Sequence, residues 1–296
     1  MPDIEHPGAL LRGGEFYSPV KAKLRTEDVL LSELHQPCSR SVPRHEHELA
    51  YVTVMLRGDY LEGDRGHLEE LRPFTAVFNP SGVQHATVIG PAGAFFFTIE
   101  LRSESLRQLG MRLPSQPRLD RGSGTLLWPA LRLYSDFKAQ TADALVIESH
   151  LAELLSAITG GSAPREIPAP KWLARVKDRM HEEFSETIRM SDLASDAGVH
   201  PVHLARVFRA HAGRTPGEYL QQLRVRAACR HLIDPDSSLA AIATDCGFAD
   251  QSHFTRVFRK FTRTTPAQFR RAIVAHTGSE DKQRLANRHA LTEPAE

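Results

Sequence analysis

Two stretches of the sequence carry side chains suited to hydrogen bonding with nucleic-acid bases and phosphates. Residues 206–209 and 256–259 both read Arg-Val-Phe-Arg. On an α-helix the Val and Phe of each block lie on an inward face, whereas His203 and Arg206, or His253 and Arg256, point elsewhere. Arginine, glutamine, serine and histidine can reach base edges in the major groove. The blocks therefore predict two helices that each present a polar face to DNA.

Both blocks lie inside a longer internal repeat. LASDAG (193–198) matches IATDCG (242–247), and LARVFRAHAGRTP (204–216) matches FTRVFRKFTRTTP (254–266). Gly198 and Gly247 stand where a short first helix ends, since glycine adopts the left-handed conformation at little cost. Each copy therefore predicts a helix-turn-helix unit, and the matched turns argue against a plain helical bundle.

The segment GEYLQQLRVRAACRHLID between the copies predicts a connecting helix with Leu220, Leu223 and Ala227 on one face, closed by Pro235. A helix of roughly 16 residues is roughly 24 Å long. It could hold two recognition helices about one DNA turn apart, roughly 34 Å, so that one chain reads two successive major grooves.

The charge is distributed unevenly. Residues 171–276 hold 17 Lys and Arg against 11 Asp and Glu, although the whole chain has a formal charge of only +1. A basic C-terminal region beside an acidic remainder is typical of nucleic-acid binding, but a solvated basic face would look the same.

Residues 171–275 resemble the DNA-binding domain of the AraC/XylS family of regulators. The resemblance rests on LASDAG, LARVFRAHAGRTPGEYLQQLRVRAA and IATDCGFADQSHFTRVFRKFTRTTPAQFR. By position it implies base contacts from Val202, Ala205 and Arg206 in the first unit and from Gln251, Ser252, His253 and Arg256 in the second. The neighbouring His203, Arg209, Arg259 and Lys260 complete the predicted DNA-binding set, with the Arg and Lys side chains at phosphates. Arg263 stands where the family usually has Gly, so the second recognition helix could end differently.

Residues 1–110 predict a β-rich domain. The runs LAYVTVML, FTAVFNP, ATVIG and AFFFTIEL are short and apolar or alternating, and Gly and Pro punctuate them. Many short strands with such punctuation are typical of a sandwich or barrel.

RHEHELAYVTVMLRG (44–58) and NPSGVQHATVIG (79–90) resemble the two motifs of the cupins, small β-barrels of the jelly-roll type. The resemblance places His45, His47 and His85 where cupin enzymes have three metal ligands. Tyr51 occupies the position of the usual glutamate, although three histidines alone can hold zinc. Two hypotheses stay open: a divalent metal site, or hydrogen-bonded histidines without metal, which the missing carboxylate favours.

Barrels of this size often enclose a small ligand, which predicts an effector pocket. Its candidate lining is His45, His47, Tyr51, Phe78, His85 and Phe96. For the aromatic residues, ordinary core packing is the competing interpretation.

Residues 111–162 predict a helical connector. Its apolar stripe of Ile147, Leu151, Leu154, Leu155 and Ile158 would either cover the barrel or form a dimer interface, and we favour the dimer. A linker is expected at 163–170, the DNA-binding domain at 171–276 and a mobile tail at 277–296. The predicted fold class is thus α+β multidomain: a cupin-like jelly-roll barrel (1–110), helices, and an all-α domain with two helix-turn-helix motifs.

The sequence lacks an apolar run long enough to span a membrane and a secretory signal, and its three cysteines suit a reducing compartment. We therefore expect a cytoplasmic, non-enzymatic transcription regulator without membrane association.

Its expected partners are double-stranded DNA, a small-molecule effector and a second copy in a homodimer. RNA polymerase is a further partner if the protein is an activator, as is usual in the family. No cofactor is expected beyond a divalent metal in the barrel. The alternatives are a cupin metalloprotein or metalloenzyme fused to a DNA-binding domain, and a regulator without any effector.

Overall fold

The computed structural model describes residues 9–64, 67–102, 106, 111–120, 124–139, 144–160 and 169–274. The predicted tail 277–296 and most of the predicted linker 163–170 lie outside these residues. Nine strands come first: β1 Ala9–Leu11, β2 Val20–Arg25, β3 Val29–Gln36, β4 Arg40–His47, β5 Ala50–Asp64, β6 His67–Leu71, β7 Thr75–Asn79, β8 His85–Leu101 and β9 Arg118–Asp120.

The strands form one sheet around the long strand β8. On one side β8 pairs with β3 and then with β4, and on the other it pairs with β5 over almost its whole length. Strands β7 and β9 continue the sheet beyond β5, in the order β1-β4-β8-β5-β7-β9. Among the described strands this hydrogen-bonded path does not close on itself, so the sheet-rich region is as predicted and the closed barrel stays a prediction.

Two glycines bend the central strands. The runs ATVIG and AFFFTIEL, predicted as separate strands, are one strand of 17 residues. Gly93 lies within it at φ +71°, opposite Gly58 at φ +104° on β5. A Cβ atom at Gly58 would lie 2.1 Å from the carbonyl oxygen of Gly93. Because only glycine fits this close approach, the chain bends here without ending the strand.

Nine helices are described after the sheet: α1 Leu127–Ala139, α2 Ala144–Thr159, α3 Lys171–Glu182, α4 Met190–Ala197, α5 Pro201–Ala212, α6 Pro216–His231, α7 Leu239–Asp245, α8 Gln251–Thr262 and α9 Pro266–Val274. We call α4 with α5 the first helix pair and α7 with α8 the second helix pair. Helix α6, the predicted connecting helix, has 16 residues. None of the described helices is long and apolar enough to cross a membrane.

The apolar stripe of α2 is buried inside the chain. Ile147, Leu151, Leu154, Leu155 and Ile158 all belong to one hydrophobic cluster with the buried residues of α1 and the sheet. A surface already covered by the same chain is not free to pair with a second copy. The interpretation of this stripe as a dimer interface is therefore wrong and the covering role is correct, while the homodimer itself stays a prediction.

The same hydrophobic cluster continues into the second helix pair. Trp128 on α1 packs on Phe261 at the end of α8, with ring centroids 5.2 Å apart. Phe74, which precedes β7, packs on Phe269 of α9 at 5.9 Å. In contrast, α3, the first helix pair and the beginning of α6 share a separate cluster. The sheet and the second helix pair thus have a common core.

Helices α5 and α8 end in the same backbone conformation despite different residues. Helix α5 ends at Gly213 with φ +68°, and α8 ends at Arg263 with φ +63°. The departure from the family's glycine therefore leaves the end of the helix unchanged. An L-residue in this region costs about 1–2 kcal/mol, so Arg263 holds a strained conformation.

Exchanging the residue types at these two caps should move the free energy of unfolding in opposite directions. We expect Arg263→Gly to raise it by about 0.5–1 kcal/mol and Gly213→Ala to lower it by about 1 kcal/mol. A Cβ at Gly213 would meet no atom within 4 Å, so backbone strain alone acts there. Urea unfolding followed by circular dichroism measures both. A destabilised Arg263→Gly variant would contradict the strain at this cap.

Candidate DNA-binding surface and histidine cavity

Helix α5 of the first pair begins at a cap supplied by its own sequence. The backbone N–H of Val202 donates to Nδ1 of His200, and Pro201 occupies the first helical position, where no N–H is needed. Leu204 and Phe208 are fully buried. Burying this face leaves the opposite face of α5 to solvent.

The residues predicted to contact DNA from α5 lie on that solvent-facing side. Val202 is 70% exposed, and His203, Arg206 and Arg209 are exposed, whereas Ala205 is half-buried. An Nη2 of Arg206 lies 3.4 Å from Nδ1 of His203, so these side chains form one polar spot beside an apolar one. An exposed valine with no internal role is suited to the methyl group of thymine.

Helix α8 is built in the same way with a stronger cap. The carboxylate of Asp250 accepts the backbone N–H of His253 at 2.6 Å. Phe254, Val257 and Phe258 are buried beneath the helix. The predicted residues on the outer face are exposed: Gln251, Ser252, Arg256, Arg259 and Lys260. Thr255, which the sequence analysis missed, lies between them along the same open groove.

His253 has an internal role as well as a place at this surface. It is half-buried, and its ring packs edge-on against Phe248 at 5.6 Å. The backbone N–H of Ala249 also donates to its Nδ1. His253 therefore holds the turn that precedes α8, and only part of its hydrogen-bonding capacity remains for a base.

The cationic groups of both outer faces form no salt bridge among the described residues, and only the Glu218 carboxylate attracts Arg209 and Lys260 from a longer distance. Within the described part of the chain, no carboxylate lies within salt-bridge distance of Arg206, Arg209, Arg256, Arg259 or Lys260. Elsewhere arginines do form such pairs, for example Arg132 with Glu153 and Arg179 with Asp196. Unpaired guanidinium groups beside exposed amide and hydroxyl groups are the chemistry that binds phosphates and base edges.

The three predicted histidines come together inside the sheet region. His45 and His47 lie on β4, and the register of β4 and β8 places His85 directly opposite His45. All three side chains are buried, and their candidate ligand nitrogens lie within 4.8 Å of one another. The resemblance to the cupin motifs thus predicted this cluster.

Burial keeps the rings of His45 and His47 in the neutral form that binds metals. Nδ1 of His45 donates to the carbonyl oxygen of Pro43, which leaves its Nε2 with a lone pair. Burial, followed by the charge of His85, lowers the pKa of His45 to about 4 and that of His47 to about 3. Nδ1 of His47 is buried without a hydrogen-bond partner among the described residues. This orphaned nitrogen, the neutral imidazoles of His45 and His47 and the nearby ring of His85 fit a divalent metal ion such as zinc.

A carboxylate missed by the sequence analysis lies beside the histidines. Oε1 of Glu62 lies 3.8 Å from Nε2 of His85 and accepts a hydrogen bond from Nδ2 of Asn79. The same Asn79 nitrogen donates to the hydroxyl of Tyr51, which lies 3.2 Å from Nε2 of His85. Glu62 was hard to predict because the register of β5 against β8 shifts twice between Met55 and Tyr60. Side chains that alternate between the two faces of the strand from Tyr51 onward therefore cannot be assigned to a face by counting beyond these bulges.

The predicted effector pocket is a small cavity of about 60 Å³. Its lining includes the three histidines, Tyr51 and Phe96, as predicted. Sites for drug-sized ligands measure about 300–1,000 Å³. The cavity therefore has room for an ion or a few small molecules the size of water.

Phe78 does not belong to this cavity, and its assignment to the pocket is wrong. On β7 it pairs with Val52, whereas Tyr51 pairs with Asn79. Neighbouring residues of a strand point to opposite faces. Phe78 therefore lies fully buried in the large hydrophobic cluster on the other face of the sheet, with Val52.

Zinc binding tests the histidine cavity. We expect the metal-free chain to bind one Zn²⁺, and His47→Ala to weaken this binding at least about tenfold because one nitrogen ligand is lost. Competition with a chromophoric chelator measures the affinity. His231→Ala, at an exposed histidine of α6, is the control and should leave the affinity unchanged. A wild-type chain that takes up no zinc would support the metal-free interpretation of the histidines.

Comparisons with known proteins match the C-terminal helices. A family model described as a helix-turn-helix domain covers residues 193–272. The probable transcription factor PqrA of Proteus vulgaris is 38% identical over 100 residues, which are 34% of this chain and 78% of PqrA. The bifunctional transcriptional activator/DNA repair enzyme AdaA of Bacillus subtilis (strain 168) is 33% identical over 105 residues, which are 36% of this chain.

The alignment with AdaA spans only half of AdaA's own length. A crystal structure of a transcriptional regulator with an AraC-type DNA-binding domain from Chromobacterium violaceum is 27% identical, with a TM-score of 0.33. That similarity covers 34% of this chain and 91% of the solved chain. Residues 193–272 of the family model contain α5 to α8 and the greater part of α4 and α9. Through this region the chain belongs to the AraC/XylS family of transcription regulators.

Proposed function

We propose that this protein is a sequence-specific DNA-binding transcription regulator that reads two successive major grooves with α5 and α8. The observation that carries the proposal is the pair of solvent-facing helix surfaces whose arginines have no carboxylate partner among the described residues. A helix fits the major groove, and a connecting helix of 16 residues, about 24 Å long, suits two sites one DNA turn apart.

The two surfaces have unequal chemistry, and we assign them unequal roles. Gln251 and Arg256 are exposed on α8, and these residue types pair with the edges of adenine and guanine respectively. On α5 only Arg206 offers comparable hydrogen bonds, beside the apolar Val202. The second helix pair therefore supplies most of the sequence discrimination, and the first adds phosphate contacts and a preference for thymine.

For the regulatory input we propose the histidine cavity. Its volume of about 60 Å³ supports an ion or a very small molecule as the effector, in place of the larger metabolite that a roomy barrel would hold. Three clustered histidines with Glu62 nearby support a divalent metal. We expect activation through RNA polymerase and pairing with a second copy only because these are common in the family.

A metalloprotein fused to a DNA-binding region is the second candidate, favoured by the same histidines and by Glu62. A catalytic site needs space for a substrate beside the metal, and a cavity of about 60 Å³ provides very little. Metal binding without turnover is therefore the form of this candidate that the geometry supports.

Removing one arginine from each recognition helix tests the main proposal. We expect Arg206→Ala combined with Arg256→Ala to weaken binding to a selected duplex at least about tenfold, since each good base contact contributes about 1–3 kcal/mol. The duplex would come from selection of bound sequences out of a random pool, and fluorescence anisotropy would report the affinity.

Arg25→Ala is the matched control, because Arg25 is an exposed arginine on β2, far along the chain from both helices. Its affinity for the selected duplex should equal that of the wild type. Equal affinities of the double variant and the wild type would refute the assignment of these surfaces.

Salt dependence separates base contacts from phosphate contacts on α8. We expect Arg259→Ala to weaken binding to all duplexes alike and to reduce the slope of log affinity against log salt by about 1. Arg256→Ala should instead relax the preference at one base pair. Anisotropy titrations at four salt concentrations, with the selected duplex and its single-base variants, measure both. The assignment fails if the two variants behave identically.

A further inference from the structure

A second, much larger cavity lies between the sheet and the C-terminal helices. It is a cleft of about 820 Å³, bounded by β6, β7 and β9 on one side and by α3 and α6 on the other. This volume is within the range of small-molecule binding sites, about 300–1,000 Å³. The cleft shares no lining residue with the histidine cavity.

Helix α6 turns one stripe of its surface toward the cleft. Leu223, Arg226, Ala227 and Arg230 lie at positions i, i+3, i+4 and i+7 and all line it. The stripe thus places two guanidinium groups one helical turn apart over an otherwise apolar strip. Of these four residues, only Leu223 belongs to the hydrophobic cluster of the first helix pair.

Arg226 is a buried cation whose hydrogen bonds are incomplete. It is only 7% exposed, and an Nη2 donates to the hydroxyl of Thr75 on β7 at 3.1 Å and to the carbonyl oxygen of Asp120 at 3.4 Å. Its Nε has no hydrogen-bond partner among the described residues. The carboxylate of Asp120 accepts the backbone N–H groups of Gly124, Leu126 and Leu127 at the start of α1. Burial lowers the pKa of Arg226, and the nearby Asp120 carboxylate offsets this only in part, so an added anion would stabilise the buried guanidinium.

Two further arginines add positive charge at the mouth of the cleft. Nε of Arg230 donates to the carbonyl oxygen of Pro73, and the charge of Arg72, after burial, lowers the pKa of Arg230. The nearby ion pair of Arg72 with Glu70 is 3.7 Å long and largely exposed, so it compensates little. Glu69, half-buried, is the other carboxylate of the lining. The guanidinium groups thus outnumber the carboxylates.

Apart from Thr75 and His181, the remaining lining is hydrophobic. Leu119 on β9, Phe184 after α3 and Leu223 on α6 face the cleft together with Leu68. A ligand matched to this surface combines an anionic group with an apolar body, because a fully polar anion would leave the apolar wall in contact with water.

We propose that this cleft binds a small organic anion, with a carboxylate or phosphate group held by Arg226 and Arg230 and a hydrophobic body against Leu119, Phe184 and Leu223. Charge-assisted hydrogen bonds to such groups are among the strongest that arginine makes. The ligand would contact the sheet and the connecting helix at once. Its binding would therefore stabilise the packing of these two parts and would be linked to any event that separates them. None of its lining residues belongs to the proposed DNA-binding set.

Isothermal titration calorimetry with the full chain and no DNA tests the site. The probes are phenyl phosphate, benzoate and the uncharged benzyl alcohol. We expect at least one of the two anions to bind with a Kd below about 1 mM and at least tenfold more tightly than benzyl alcohol. Comparison of the two anions then identifies the preferred head group.

Arg230→Met removes one charge at an exposed position and should weaken anion binding at least about tenfold without loss of fold. Arg271→Met, at an exposed arginine of α9 outside the cleft, should bind as the wild type does. His47→Ala should also leave anion binding unchanged, which separates this site from the histidine cavity. The proposal is overturned if neither anion binds better than benzyl alcohol, or if Arg230→Met and Arg271→Met bind equally well.

Discussion

The packing of two phenylalanines of the C-terminal helices against the sheet region fixes the position of the second helix pair on the sheet. Phe261 contacts Trp128 on α1, and Phe269 contacts Phe74 beside β7. Burying aromatic rings of this size supplies several kcal/mol, more than any of the exposed ion pairs. Since Phe258 of α8 packs on Phe269 in turn, the position of the second recognition helix follows from this contact. The sheet region and the second helix pair therefore share one hydrophobic core.

Local patterns predicted the features that depend on local physics. The helix ends at Gly198 and Gly247, the buried Phe208 and Phe258, and the exposed arginines all follow from a period of 3.6 residues and from the conformational freedom of glycine. The histidine cluster was predictable from the resemblance to the cupin motifs, and the placing of His45 with His47 also follows from strand geometry, because positions i and i+2 share a face. In each case the relevant contacts lie within one element or between obvious neighbours.

The errors arose where one element meets a distant one. The stripe on α2 correctly indicated burial, but periodicity does not say which surface covers it, and α1 of the same chain does so. Phe78 was assigned to the wrong face because the two faces of a fully buried strand are both apolar. Glu62 was missed because bulges in β5 interrupt the count of alternation. Arg226 is an extreme case, since its partners Thr75 and Asp120 lie more than 100 residues away.

The separate hydrophobic cluster of α3 and the first helix pair has a consequence for local opening. Groups of elements that share a core tend to open and close together, and those with a small core of their own open at lower free energy. Backbone amides of α4 and α5 should therefore exchange their hydrogens through a partial opening that leaves the sheet, α8 and α9 intact. The amides of α8 should exchange only when the large common core opens. Of two helices related by an internal repeat, α5 would therefore open locally, whereas α8 would open only together with the sheet.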